Sequence, residues 1–123
     1  MKKRGIVRQG DVLLIPVEDV AEADVAPAKK DARGLVLAEG ETSGHHHAVF
    51  GHGAKLMRFR AEARQELVVI VGRGGAEVRV VGGESGGVPR HYPVRLGPGK
   101  YLARVQRQWT SADEAARSRM VND

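Results

Sequence analysis

The sequence predicts an all-β fold, a small barrel or sandwich, and three observations carry that expectation. Short apolar runs rich in valine recur along the chain, glycine-bearing turns separate them, and within the runs inward and outward residues alternate with period two. A chain of 123 residues fits one domain. The predicted division is a single β domain over 1–110 and a C-terminal tail or short helix over 111–123.

About eight strands are expected, over 11–17, 35–41, 45–50, 55–60, 66–71, 76–81, 92–96 and 100–108. In the first, Asp11 follows Gly10 as a turn aspartate, and Pro16 predicts an edge or a bulge. Residues 18–34 lack strand character and predict a surface loop with one helical turn. Three glycine turns, at 51–53, 72–75 and 97–99, supply the permissive φ angles that chain reversal needs and predict hairpins. Residues 82–87 are too rich in glycine to order themselves and predict a mobile segment or a flap. In the last strand Tyr101, Ala103, Val105 and Trp109 share one face, expected inward, and Arg107 interrupts that set as a bulge or a functional residue. Ser111 with Glu114 three residues on forms a capping-box pattern, so a short C-terminal helix or a frayed tail follows.

Composition narrows the chemistry. There is no cysteine, which excludes disulfides, thiolate metal sites and cysteine nucleophiles, so a metal must be held by nitrogen and oxygen. The basic N-terminus, Met1-Lys2-Lys3-Arg4, is followed by a stretch broken by Arg8, Gln9, Asp11, Pro16 and Glu18, unlike a signal peptide or a membrane span. A cytoplasmic location and no membrane partner are therefore expected. The formal charge of +5 favours contact with polyanions. Without aromatics interleaved among the basic residues, however, solvated strand faces are favoured over a nucleic-acid groove.

The concentrated chemistry is the cluster His45, His46, His47 and His52. On a strand His45 and His47 project to one face and His46 to the other, so His45 and His47 can share a divalent transition metal: Zn, Fe, Mn, Ni or Cu. Two ligands rarely suffice. His91 is the leading addition, His52 in its glycine turn the next, and Glu41 a candidate oxygen ligand. Two histidines and a carboxylate with open positions suit oxygen or redox chemistry, and three histidines suit activated water. Hydrolysis or oxygenase-type chemistry on a small-molecule substrate is the first expectation if the protein is an enzyme. The alternatives are a metal-independent ribonuclease using paired histidines with Lys55 or an arginine on phosphorus, and a non-catalytic, basic, nucleic-acid-associated protein. The bland reading is an exposed hairpin of titrating histidines.

Other motifs weigh less. The run Gly72-Arg73-Gly74-Gly75 lacks the Gly-Lys-Ser/Thr ending of a phosphate loop and reads as a turn. Ser43 lacks a nucleophile elbow, and with Thr42 it is expected to hydrogen-bond the turn before the histidines. Trp109 is expected to close the core.

The residues Gly40-Glu41-Thr42-Ser43-Gly44-His45-His46-His47 resemble the first motif of the cupins, in which a glycine precedes a His-x-His pair on a barrel strand. That resemblance implies a double-stranded β-helix, a metal inside it held by His45 and His47, and frequently a homodimer. The departures are a gap from Gly40 to His45 one residue short, Gly51 and His52 in the region of the expected glutamate, and His91 before rather than after Gly97-Pro98-Gly99. Gln9-Gly10-Asp11-Val12-Leu13-Leu14, the Gly-His-x-His run, Gly99-Lys100-Tyr101 and Gln106-Arg107-Gln108-Trp109 together also resemble small prokaryotic and phage-type proteins with no assigned activity.

Overall fold

The computed structural model describes residues 5–40, 44–82 and 92–106. They form ten strands: β1 (Val7–Gln9), β2 (Val12–Val17), β3 (Val25–Pro27), β4 (Leu35–Glu39), β5 (His45–Phe50), β6 (Lys55–Phe59), β7 (Leu67–Val71), β8 (Ala76–Gly82), β9 (Val94–Leu96) and β10 (Gly99–Val105). One 3-10 turn, Glu22–Asp24, precedes β3. The strands build two antiparallel sheets, ordered β1-β2-β10-β7-β6-β3 and β4-β5-β8-β9. The architecture is the expected all-β class, an open sandwich and not a closed barrel. The expected C-terminal helix, the inward Trp109, the Arg107 bulge and most of the 82–87 segment lie outside the described residues.

Alternation decides what lies between the sheets. Val12, Leu14, Val69, Val71, Tyr101 and Ala103 from the larger sheet meet Leu37, Val49, Ala76, Val78 and Leu96 from the smaller one. Each valine or leucine among them, withdrawn from water, contributes roughly 1.5–3 kcal/mol. Tyr101 is buried in this layer, and its hydroxyl donates to the Gly97 carbonyl at 2.8 Å, which satisfies the polar tip of an otherwise apolar ring. Pro16 sits past Leu14, the last residue of β2 that β1 pairs, so only β10 flanks it and the strand is locally an edge there.

The outer face of the larger sheet is also apolar. Val68, Phe59 and Val25 form a second cluster with Val20, Met57, Ile70 and Leu102. Residues 18–24 link β2 to β3 at the far edge of the sheet, and Val20 from that crossover covers these side chains. The crossover is pinned where the Arg60 N–H donates to the Asp24 carbonyl at 2.8 Å. The segment 18–34, expected as a surface loop, thus contains the 3-10 turn and the strand β3, and its Val20 and Val25 belong to a small second core.

The three glycine turns are not hairpins. Residues 51–54 carry the chain from β5 in the smaller sheet to β6 in the larger, 72–75 from β7 back to β8, and 97–98 from β9 to β10. All three corners lie at one end of the sandwich. The β1–β2 turn, the start of β5 and the ends of β8 and β10 lie at the other.

Candidate metal centre

The buried polar residues of the described chain are Gln9, Asp11, His45, His46 and His47. Strand β5 lies inside its sheet, between β4 and β8, and all three of its imidazoles are buried. Val49 belongs to the core between the sheets, so His47 and His45, two and four residues before it, turn to the same interior face. His46 faces outward opposite Glu39. There Arg33 bridges Asp31 and Glu39, and its hydrogen bonds hold Asp31 at a pKa of about 2 and Glu39 below the usual carboxylate range.

A buried imidazole needs partners, and Gln9 supplies one. The Gln9 Nε2 donates to two carbonyl oxygens, Val78 and Tyr92, each at 2.9 Å. With the amide nitrogen so committed, Oε1 is the acceptor that faces His47 Nδ1 at 2.9 Å, and the imidazole proton lies on Nδ1. The other ring nitrogen, Nε2, points at Asp11, 3.7 Å from Oδ1, with both side chains almost fully buried. That spacing is too long for a hydrogen bond. It fits two ligands of one cation, each about 2.0–2.2 Å from it.

Asp11 reaches this position because the β1–β2 connection is two residues long, Gly10 and Asp11. Gly10 takes φ +58 while Asp11 keeps a negative φ, the pattern of a type II′ turn, which needs glycine first. The Gln106 N–H donates to the Asp11 carbonyl at 2.7 Å and ties the turn to the end of β10.

His45 is held differently. Its ring occupies the space beside Gly40, where an added Cβ would stand 2.0 Å from the ring Cδ2, and its Nδ1 is buried without a hydrogen-bond partner among the described residues. Among the described residues no three histidine, aspartate or glutamate side chains converge to hold a metal, so His45 does not complete a triad with His47 and Asp11. His52 is exposed in the 51–54 corner, past Phe50, which is itself about 10 Å along β5 from His47. His91 and Glu41 lie outside the described residues. Their described neighbours flank the site: Tyr92 through its carbonyl on Gln9, and Gly40 through its N–H, which donates to the His45 carbonyl at 2.8 Å.

Asp11 and Gln9 were not legible as site residues. An aspartate after glycine signals a turn, and only the pairing of distant strands turns it toward a histidine. Residues 8–108 match the family described as a domain of unknown function (DUF8820), and the chain belongs to that family. No curated protein and no solved structure matches the chain.

Proposed function

We propose that this DUF8820 domain binds a divalent transition-metal cation between His47 Nε2 and Asp11. One observation carries the reading: the Gln9 amide engages His47 Nδ1, which leaves Nε2 aimed at the Asp11 carboxylate 3.7 Å away in a buried site. Nitrogen and carboxylate oxygen at this separation are donors that one cation can share. An imidazole N–H bonded to an amide oxygen is also the outer-shell support that orients metal-bound histidines. His91 and Glu41 are the residues proposed to extend the ligand set. A cation so held keeps positions for water or a small substrate, the chemistry that polarises a carbonyl or lowers the pKa of bound water.

The test is elemental analysis of untagged protein after exposure to zinc, manganese, iron, nickel and copper and removal of free metal. The wild type is expected to retain one metal per chain, and His47→Ala and Asp11→Asn to lose it. His91→Ala is expected to weaken retention if that histidine belongs to the set. Wild type and His47→Ala equally free of metal would overturn the reading. Nitrogen NMR that finds both ring nitrogens of His47 protonated would replace the cation with an imidazolium–aspartate pair.

A further inference from the structure

The end of the sandwich opposite His47 has a different chemical character. Its three glycine corners abut: a Cβ on Gly51 would stand 2.9 Å from the Gly75 carbonyl oxygen, one on Gly72 3.6 Å from that of His52, and one on Gly75 3.1 Å from that of Leu96. The corners carry His52 and Arg73, Arg95 lies just before the third, and Lys55 opens the strand that leaves the first. All four side chains are exposed.

Lys55, Arg73 and Arg95 form no salt bridge with any described residue, whereas Arg33, Arg64, Arg79 and Arg104 are each bound to a carboxylate. The nearest acid in the strip is Glu77, the cross-strand partner of Arg95, and Arg79 already holds it. Exposed cations with unused donors, set around backbone that carries no side chains, favour a phosphate that can approach closely. Phe50 completes the strip as the other cross-strand partner of Glu77. It is 37% exposed, with the Arg79 guanidinium 4.7 Å from its ring centroid. Cations beside a partly exposed aromatic suit a strand whose bases are free to stack, which a duplex does not offer.

We propose that this end binds a single-stranded nucleic acid, with Lys55, Arg73 and Arg95 on its phosphates and Phe50 stacked on a base. The contacts are separate from the His47 centre, so the two proposals stand or fall independently. The test is fluorescence anisotropy of a labelled oligouridylate with the full chain across a salt series. Three phosphate contacts give a log–log salt slope of about −2, and Arg73→Gln with Arg95→Gln reduces it to about a third. Phe50→Ala weakens binding about tenfold. The ion-paired control, Arg33→Gln with Arg104→Gln, removes the same charge and is expected to leave binding unchanged, as is His47→Ala; thermal melts establish that each variant is folded. The proposal is overturned if the wild type binds no oligouridylate at low salt, if both arginine pairs lose binding equally, or if the protein is retained on phosphatidylserine vesicles while oligouridylate is not bound.

Discussion

Gln9 and His47, 38 residues apart in the chain, are joined by a 2.9 Å hydrogen bond between side chains that are both almost fully buried. The same amide donates to Val78 and Tyr92, so it links β1 to β5, to β8 and to the residue that leads into β9. Replacing Gln9 by alanine strands two carbonyls and an imidazole N–H. We expect Gln9→Ala to lower stability by about 3 kcal/mol in urea unfolding. Metal retained at His47 is expected to weaken about tenfold or more, because the ring loses the group that orients it.

The contact between Gly40 and His45 gives a second expectation. A methyl at Gly40 would collide with the His45 ring, 2.0 Å from Cδ2 and 2.1 Å from Nε2, so the ring must leave its buried position. Gly40→Ala is expected to cost about 2 kcal/mol. In Gly40→Ala/His45→Ala the collision is absent, and a double-mutant cycle of melting curves should return a coupling above about 1 kcal/mol. Additive losses would show that the ring yields without strain.

Arg33 sets the acid titration of its neighbours. Its hydrogen bond depresses Asp31 to about 2, below the ordinary value of about 3.9. A depressed carboxyl stabilises the folded state above its unfolded value and loses that contribution as pH falls through the folded one. For Asp31 the window therefore runs from about 3.9 down to about 2. Arg33→Gln should return the Asp31 carboxyl, followed by carbon NMR, toward 3.9. Glu66, depressed chiefly by its hydrogen bond from Arg104, should rise in the same way in Arg104→Gln.

Tyr101→Phe removes only the hydroxyl that donates to Gly97. The expected loss is about 1 kcal/mol, read from the chemical-denaturation midpoint, with an unchanged slope.

Much of this was written in the local sequence. The runs around 45–50 and 67–71 became strands with nearly the expected bounds, because alternating or continuous apolar residues between glycines have few other ways to bury themselves. Tyr101 and Ala103 turned inward as their spacing predicted, but Val105, expected in the same inward set, is exposed at the end of β10. The strands Val7–Gln9 and Val25–Pro27 are three residues each, too short to announce themselves by alternation, so they exist through their partners, β2 and β6. The glycine turns looked like hairpins because a turn's sequence records that the chain reverses, not which sheet receives it. In the same way the His-x-His spacing located His47, but Asp11 and Gln9 come from a hairpin that β10 and β8 bring across, a relation that no window of sequence contains.

The larger sheet receives its last described strand in its middle. β10 lies between β2 and β7, and it pairs Val12–Val17 with residues almost at the other end of the described chain. Until β10 has left the ribosome, that sheet exists as two fragments, β1–β2 and β7–β6–β3, each showing an apolar open edge. Strands closed over such separations assemble slowly. The domain thus completes its larger sheet only once β10 has been made, and until then the edges of β2 and β7 are open to pairing with another chain.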